Sequence, residues 1–470
     1  MREFNVFAAV VLLAGLQLTS ACDSVPTSGT GGVGSGAAGS GGVGSGAAGS
    51  GGTGSGGVYG VAGSGGSASG GAGPGASGGG AAGGAFGSNG SGGAATASGG
   101  SGASENEFPL ASALVEGLTL GWNLGNSLDV PEGEAAWGNP SVTPELLAKV
   151  AAAGFDAVRI PVTWSLHTGA GPDYAIDPAF LARVDEVVGF AHAAGLVAII
   201  NLHHDGADDY DGVEWLTLTD ESGSVTPQNN ASVLERFERV WTQIAAYFQG
   251  HGADLVFESM NEIHDGYDAP DPAYYDVIGE LNQTFVELVR ASGGNNAQRC
   301  LVLPGYNTNI DYTLAGFELP IDPTPDRLIL SVHFYDPWSF AGEGSTQTWG
   351  AASAGSDSGG QEDFVVTQYD KLNAAFVSQG IPMIVGEYGA IQQDGFDDYR
   401  RYYLEYVTKV MVDRGLLPFY WDNGGAGSGQ DNFGLISRTD GSTLRPDILA
   451  ALLRAARDDY QLTDVAPPAP

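Results

Sequence analysis

The stretch Leu255-Val256-Phe257-Glu258-Ser259-Met260-Asn261-Glu262 begins with three apolar residues and ends with an amide and a carboxylic acid. The apolar run predicts a short buried strand, and the polar pair falls where the next loop begins. In a parallel α/β barrel, the side chains at this end of each strand form the functional face. The stretch therefore predicts a barrel strand that presents Glu262.

A second stretch has the same form, namely Pro382-Met383-Ile384-Val385-Gly386-Glu387-Tyr388-Gly389. One carboxylate at a strand end is a weak indication of function, since most Glu side chains are solvated or paired. Two acids from two strand ends predict that Glu262 and Glu387 act as a pair.

From about Phe108 onward, strand-like and helix-like segments alternate, which is the pattern of parallel β/α units. The predicted strands are 118–124, 157–162, 197–203, 255–260, 300–304, 328–334, 382–386 and 417–421. The predicted helices are 178–194, 231–248, 273–291, 364–378, 397–413 and 446–456, and no long helix is apparent after the fifth strand. The predicted fold class is α/β, a (β/α)8 TIM barrel.

The N-terminal part of the chain has a different composition. Residues 1–22 contain Arg2, an apolar run and small residues before Cys22, which predicts an export signal that resembles a bacterial lipoprotein signal. Thr19 stands where such signals usually have Leu, so a plain secretion signal is the alternative. We expect an extracellular or cell-surface protein whose only membrane contact is a lipid on Cys22.

Residues 23–107 are rich in Gly, Ser and Ala and repeat ten residues in full, with Gly31 to Ser40 copied as Gly41 to Ser50. Such a segment cannot bury enough apolar surface to fold, so we predict a disordered linker that acts as a flexible tether. The alternative is a low-complexity segment without a function. The predicted catalytic domain is 108–460, followed by a C-terminal tail, 461–470.

Charge and cysteine content restrict the partners. The formal net charge is −37, with 55 acidic and 18 basic residues, which disfavours contact with a nucleic acid and leaves a neutral polysaccharide possible. The only cysteines are Cys22 and Cys300, so no structural disulfide is expected and Cys300 is predicted to be a buried small hydrophobe. We expect a monomer.

Polar and aromatic side chains follow the predicted strands in a consistent way, and we expect them to converge on one face of the barrel. They are Asn123, Asn126, Arg159, His203, His204, Asp205, Asn261, Glu262, His333, Tyr335, Glu387, Trp421 and Asn423. Arg159 is either a structural partner for an acid or the group that keeps Glu387 ionised. Five of the residues on or near this face have side chains that could bind a metal ion, namely His203, His204, Asp205, Asp208 and Asp209. We favour a solvated loop for these residues over a metal site, which would most simply hold a stabilising Ca²⁺.

Seven motifs, in order, resemble glycoside hydrolase family 5, and most closely its bacterial endo-β-1,4-glucanases. They are Gly121-Trp122-Asn123-Leu124-Gly125-Asn126-Ser127-Leu128-Asp129, Val158-Arg159-Ile160-Pro161-Val162, Asn201-Leu202-His203-His204-Asp205, Asn261-Glu262, His333-Phe334-Tyr335, Gly386-Glu387-Tyr388-Gly389 and Trp421-Asp422-Asn423-Gly424. The resemblance covers residues 110–457. One departure is Ile263-His264, where many relatives have Pro directly after the acid.

The resemblance implies a retaining mechanism with Glu262 as general acid/base and Glu387 as nucleophile, for which Glu262 must start protonated and Glu387 ionised. It implies further roles for the residues around the pair. Arg159 would support Glu387, and Asn261 would bind a sugar 2-hydroxyl. Tyr335 would lie beside the nucleophile, and His333 would flank both acids. Either His203 or His204 would line the site, and a sugar ring would stack on Trp421.

Aromatic faces stack on sugar rings, so Trp residues in the predicted upper loops are candidates for polymer binding. We predict substrate contacts for Asn126, Trp137, Trp338, Trp349, Trp421 and Asn423, and Trp215 is a further candidate. Loop packing is the alternative role for each tryptophan.

These inferences predict an endo-β-1,4-glucanase that acts on cellulose or mixed-linkage β-glucan and needs no cofactor or metal. The same chemistry on xyloglucan, mannan or xylan is an alternative. Two alternatives of other classes are a non-catalytic surface glycan-binding lipoprotein and a metal-dependent barrel hydrolase that a chelator would inactivate.

Overall fold

The computed structural model describes residues 108–206, 213–267, 269–351 and 361–468, which form a closed barrel of eight parallel strands in chain order. The strands are β1 Gly121–Leu124, β2 Ala157–Ile160, β3 Val197–Ile200, β4 Leu255–Glu258, β5 Leu301–Pro304, β6 Leu328–Phe334, β7 Met383–Tyr388 and β8 Leu416–Asp422. The predicted (β/α)8 barrel is confirmed. The predicted signal 1–22 and linker 23–107 lie outside the described residues.

Helices surround the barrel. They are α1 Ala111–Glu116, α2 Pro144–Ala152, α3 Pro178–Ala193, α4 Pro227–Phe248, α5 Pro272–Ala291, α6 Ile310–Gly316, α7 Trp338–Ala341, α8 Glu362–Ala375, α9 Asp397–Asp413 and α10 Pro446–Ala455. Short 3₁₀ helices are Ser165–His167, Gly294–Ala297, Tyr306–Thr308, Val377–Gln379 and Leu462–Asp464. As predicted, no long helix follows β5 in this described range, which contains only the 3₁₀ helix Tyr306–Thr308 and the short α6 before β6. Within the described ranges, no helix is both long and apolar enough to cross a bilayer.

Several helices begin with the same local device, a capping Thr or Asp followed by Pro. Thr226 caps α4 by accepting a 3.3 Å hydrogen bond from the backbone N–H of Asn229, and Pro227 occupies the first helical position. This start lies before the predicted one at residue 231, because the polar first turn of α4 lacks the apolar periodicity on which the prediction depended.

The lower part of the barrel interior is an apolar cluster that includes Val256, Ile329 and Phe419, and α1 packs against it. Gly121 on β1 makes room for the ring of Phe419, since a Cβ there would lie 2.1 Å from that ring. Cys300 belongs to this cluster with 4% of its surface exposed, which confirms it as a buried small hydrophobe. Burial raises the pKa of its thiol to about 11.

The C-terminal boundary differs from the prediction. Val465 is buried in the core between barrel and helices, and the Tyr460 hydroxyl donates a 2.6 Å hydrogen bond to Glu405 on α9. The folded domain therefore extends to at least Val465, and the predicted boundary at residue 460 is wrong. A single apolar residue after a polar stretch is too weak a pattern to predict this packing.

Strand β7 contains a bulge that decides where Glu387 points. In its pairing with β6, Val332 lies opposite Val385 but His333 lies opposite Glu387, so one extra residue, Gly386, is inserted in β7. Strict alternation from the inward-facing Ile384 would turn Glu387 away from the interior. The bulge instead aligns Glu387 with the inward-facing His333, which brings it into the barrel mouth.

Candidate active site

The centre of the site is Arg159 on β2, which is fully buried and bridges two carboxylates. Its Nε lies 2.6 Å from Oε2 of Glu258, and its Nη1 lies 2.6 Å from Oε1 of Glu387. A buried guanidinium requires paired acceptors, since an uncompensated charge in the interior is costly. Arg159 thus ties the ends of β4 and β7 together.

The remaining donors of Arg159 orient two amides. Nη1 also donates to Oδ1 of Asn123 at 3.1 Å, and Nη2 donates to Oδ1 of Asn261 at 2.7 Å. Because a guanidinium can only donate, it requires the oxygen of Asn261 to face it. The Nδ2 group of Asn261 is therefore left to donate to a ligand.

Glu262 has a different environment from Glu387. Its side chain is 32% exposed, and its Oε1 lies 2.5 Å from Nδ1 of His333 and accepts from the Thr308 hydroxyl at 3.3 Å. Burial raises the pKa of Glu262, and electrostatic interactions with His264 and Arg159 oppose this rise. No guanidinium of the described residues contacts its carboxyl group, so Glu262 is suited to hold a proton.

Glu387 is held as an acceptor. In addition to the contact with Arg159, its Oε2 accepts a 3.0 Å hydrogen bond from the Tyr335 hydroxyl. Burial holds the pKa of Tyr335 well above its ordinary value, so the hydroxyl remains a donor. Burial also raises the pKa of Glu387, but His333 and the directly contacting Arg159 oppose that rise. Of the two acids, Glu387 is the one whose carboxyl group a guanidinium contacts directly, and this contact favours its ionised form.

The two carboxyl groups face each other. One oxygen of Glu262, one of Glu387 and a ring nitrogen of His333 all lie within 4.8 Å of one another. Burial lowers the pKa of His333 to about 4, so its imidazole is neutral at pH 7. Unlike environments push two neighbouring acids toward different protonation states, which is the arrangement needed for one to act as a proton donor and the other as a nucleophile.

An aromatic row borders one side of the acids. The ring of Trp421 lies parallel to that of His203 at 5.9 Å, His203 meets His204 at 4.5 Å, and His204 meets Trp137 at 5.9 Å. Burial lowers the pKa of His203 well below its ordinary value and that of His204 to about 3, so both rings are neutral. The structure therefore brings both histidines to the site, whereas the sequence left the choice between them open.

Trp349 does not lie at the site, and its predicted substrate contact is wrong. It is 2% exposed and packs in the core, with its ring 5.1 Å from Tyr403 and 5.4 Å from Tyr402 of α9. Loop position on the predicted upper face indicated exposure, but the tyrosines that cover this ring are more than fifty residues away in sequence and gave no local signal.

Asn423 is also used differently from the prediction. Its Oδ1 accepts from the backbone N–H groups of Gly425 (3.0 Å) and Phe433 (3.2 Å), and its Nδ2 donates to the carbonyl of Asp431 at 2.9 Å. The side chain is 5% exposed and holds the loop after β8 together, rather than facing a ligand.

Two further predicted contacts lie at the rim. Asn126 is half-buried, adopts a left-handed φ of 54°, and donates its backbone N–H to Asp129. Trp338 on α7 is half-buried, with its ring edge-on to Tyr335 at 5.8 Å. Their roles in substrate binding stay predictions.

Of the three described residues in the metal set suggested by the sequence, His203 and His204 belong to a group with metal-ligand spacing and Asp205 does not. Asp205 is fully buried and accepts from Ser165, from the Trp215 indole at 2.8 Å and from the Trp164 backbone, so it holds loops and fixes Trp215. Asp208 and Asp209 lie outside the described residues. Among the described residues, the groups with metal-ligand spacing are Asp129 with His203 and His204, and Glu262 with His333 and Glu387.

Glu258 and Asn201 are site residues to which the sequence analysis assigned no role. Asn201 donates to Oε2 of Glu258 at 2.9 Å, the same oxygen that pairs with Arg159. The signal was present, because a carboxylate inside the apolar strand β4 requires a buried cationic partner. Arg159 was the buried cation available to it.

Three comparisons with known proteins agree. The family model described as Cellulase (glycosyl hydrolase family 5) matches residues 123–427. Endoglucanase A of Paenibacillus barcinonensis is 38% identical over 368 residues, covering 73% of this chain and 90% of that protein. A GH5-4 broad specificity endoglucanase from Bacteroides salanitronis superposes with a TM-score of 0.69 at 42% identity, covering 76% of this chain and 96% of that one. A family 5 xyloglucanase from Paenibacillus pabuli superposes with a TM-score of 0.68 at 40% identity, covering 73% of this chain and 100% of that one.

Proposed function

This chain belongs to glycosyl hydrolase family 5, and from that membership we propose that it is a retaining endo-β-1,4-glucanase that cleaves internal bonds of β-glucans. The observation that carries the proposal is the approach of a Glu262 oxygen to within 4.8 Å of a Glu387 oxygen. Retaining glycosidases have carboxyl groups about 5–5.5 Å apart, whereas inverting enzymes need about 6.5–9.5 Å to admit a water.

In the first step, an oxygen of Glu387 bonds to the anomeric carbon while the bond from that carbon to the leaving oxygen breaks. Glu262 transfers its proton to the leaving oxygen. In the second step, the Glu262 carboxylate takes a proton from water, whose oxygen bonds to the anomeric carbon and displaces Glu387. The product keeps the configuration of the substrate.

Asn261 supports this chemistry through its orientation. Arg159 holds its Oδ1, so its Nδ2 is available to the hydroxyl next to the anomeric carbon. Hydrogen bonds to the 2-hydroxyl strengthen as positive charge develops on the sugar ring, so they stabilise the transition state. The aromatic row supplies the apolar surface on which sugar rings stack.

The test is to measure reducing-sugar release by the whole protein from carboxymethylcellulose, mixed-linkage glucan, xyloglucan, mannan and xylan. Xyloglucan is the second candidate substrate, because one similar structure is a xyloglucanase. Proton NMR of the first product should show the β anomer before mutarotation. Early appearance of the α anomer would exclude a retaining mechanism.

The pH dependence follows from the two carboxyl groups. The active form has Glu262 protonated, and burial raises its pKa, so activity should persist above the ordinary carboxyl range and fall as the pH rises through that pKa. On the acid side, activity should fall as Glu387 gains a proton. In Glu262→Gln, the alkaline limb should disappear when 2,4-dinitrophenyl β-cellobioside is hydrolysed, since this leaving group needs no proton. An alkaline limb that persists would assign it to another group.

Two tryptophans should separate binding from stability. Trp421→Ala should lower kcat/KM on β-glucan about tenfold by removing a stacking surface, with little change in the free energy of unfolding. Trp349→Ala should cost about 3–5 kcal/mol of unfolding free energy, because it opens a cavity in the core. Steady-state kinetics and urea denaturation measure the two effects, and the opposite assignment would return Trp349 to the substrate site.

We also propose that the protein is exported as a monomer and held at a membrane by a lipid on Cys22. The N-terminal segment 1–22 and the Gly/Ser/Ala-rich segment that follows it support this proposal. Cys22→Ser should move the protein from the membrane fraction to the soluble fraction in a bacterial host. An unchanged distribution would favour the plain secretion signal.

A further inference from the structure

Asn201, which directly follows β3, is a buried amide that no step of the mechanism above uses. Its Oδ1 accepts a 3.2 Å hydrogen bond from the backbone N–H of Val162. A backbone N–H can only donate, so this contact fixes which end of the amide is the oxygen. At the other end, Nδ2 donates to Oε2 of Glu258 at 2.9 Å, and a carboxylate oxygen likewise requires a donor. Two neighbours therefore fix the amide of Asn201 in the same orientation.

The second hydrogen of this amide nitrogen determines where His203 carries its proton. Nδ1 of His203 lies 3.3 Å from Nδ2 of Asn201. An amide nitrogen donates and does not accept, so Nδ1 must be the acceptor and has no proton of its own. Burial lowers the pKa of His203 well below its ordinary value, so the ring is neutral and carries one proton. That proton is therefore on Nε2.

The Nε2 atom of His203 is open to a ligand. It has no hydrogen-bond partner in the described part of the chain, yet it is not one of the unpaired side-chain atoms that are sealed from solvent. The ring lies parallel to that of Trp421 at 5.9 Å, within the aromatic row beside the two acids. A protonated Nε2 at this position can donate a hydrogen bond to a ligand and cannot accept one.

We propose that Asn201 is a positioning residue, which fixes the proton of His203 on Nε2 and so presents a hydrogen-bond donor to a hydroxyl oxygen of the sugar beside Trp421. The sugar in this inference rests on the proposed function, whereas the position of the proton does not. Arg159 anchors the arrangement, since its Nε pairs with the same oxygen of Glu258 at 2.6 Å. The buried cation orients Glu258, Glu258 holds Asn201, and Asn201 sets the proton of His203.

The same tautomer disfavours His203 as a metal ligand. One ligand atom each of Asp129, His203 and His204 lies within 4.8 Å of the other two. A metal ion binds a ring nitrogen through its lone pair, and the lone pair of His203 is on Nδ1, where Asn201 already donates to it. The group is therefore better suited to hydrogen bonding with a sugar than to coordination of a metal ion.

NMR of the whole protein labelled with ¹⁵N-histidine tests the position of the proton, because two-bond ¹H–¹⁵N couplings distinguish a proton on Nε2 from one on Nδ1. The chain has 7 histidines, and the signals of His203 are those that disappear in His203→Ala. At pH 7 we expect the proton of His203 on Nε2. In Asn201→Asp the new carboxylate can only accept, so the proton should move to Nδ1. The kcat/KM on mixed-linkage glucan should then fall about tenfold, roughly the value of one hydrogen bond.

Asn296→Asp is the matched control for a carboxylate that replaces a buried amide. Asn296 lies in the 3₁₀ helix Gly294–Ala297 before β5, and its Oδ1 accepts from Nε of Arg299 at 2.7 Å. This variant should keep the proton of His203 on Nε2. A double variant shows whether Asn201 acts through His203, since Asn201→Asp should then add little to the loss of kcat/KM in His203→Ala.

Three results would overturn the proposal. They are a proton on Nδ1 of His203 in the parent protein, a proton that stays on Nε2 or an unchanged kcat/KM in Asn201→Asp, and fully additive losses in the double variant. The spectrum of the parent protein keeps the test valid if Asn201→Asp fails to fold. A parent protein that carries the proton on Nε2 but hydrolyses no glycan would instead contradict the proposed function.

Discussion

Replacement of Glu387 by Gln is expected to lower kcat on soluble β-glucan by at least about 10⁴-fold, because the amide cannot form the glycosyl-enzyme. The fold should remain, since Arg159 keeps its 2.6 Å pair with Glu258 and the Gln oxygen can still accept from Arg159. Initial-rate assays together with thermal unfolding measure the two effects. Comparison with variants of the acid/base Glu262 identifies the role of each acid.

Azide distinguishes the nucleophile from the acid/base. With a dinitrophenyl glycoside, Glu387→Ala plus azide should give the α-glycosyl azide, because azide attacks directly from the face that Glu387 occupied. Glu262→Ala plus azide should give the β-glycosyl azide, because azide attacks a glycosyl-enzyme formed by Glu387. If Glu387→Ala gave the β-glycosyl azide and Glu262→Ala the α-glycosyl azide, the roles of the two acids would be reversed. Activity that survives in Glu387→Gln would contradict the role of Glu387 as nucleophile.

Arg159→Met is expected to have the largest combined effect on stability and activity. It leaves Glu258 and Glu387 buried without their shared cation, and breaking a buried pair from one side costs about 3–5 kcal/mol. The pKa of Glu387 should rise further, so the acid limb of the pH profile should move to higher pH. Urea denaturation at pH 7 and the pH dependence of kcat/KM measure these changes.

A double variant separates the two consequences of losing Arg159. Arg159→Met combined with Glu258→Gln should recover part of the unfolding free energy, since one buried carboxylate is removed, but should not recover activity, since Glu387 still lacks its cation. Arg457→Met is the control, because Arg457 pairs with Asp459 at the surface. Equal effects of Arg457→Met and Arg159→Met would contradict the role given to the buried cation.

The fold was predictable because apolar periodicity is a local property. Each strand of the barrel is a short apolar run, and the strand order follows from the β/α alternation. The early start of α4 at Pro227 was missed because its first turn is polar. Val465 was missed because its packing depends on neighbours far along the chain.

Glu262 and Glu387 were found in the sequence because each stands at the end of an apolar run, and the barrel fold places the carboxyl ends of its strands on one face. Glu258 was missed because it was taken as part of an apolar strand, although a buried charge requires a partner. Trp349 was misplaced because sequence position indicates a loop and does not indicate which side chains cover that loop.

The sequence by itself therefore determined the eight-stranded barrel, the two acids and the family resemblance, since these depend on residue type and spacing along the chain. The tertiary structure decided the bulge at Gly386 that turns Glu387 inward, the four acceptors around Arg159, and the approach of both His203 and His204. These features arise from contacts between distant segments, where register, burial and hydrogen-bond geometry are set by the whole barrel rather than by any one strand.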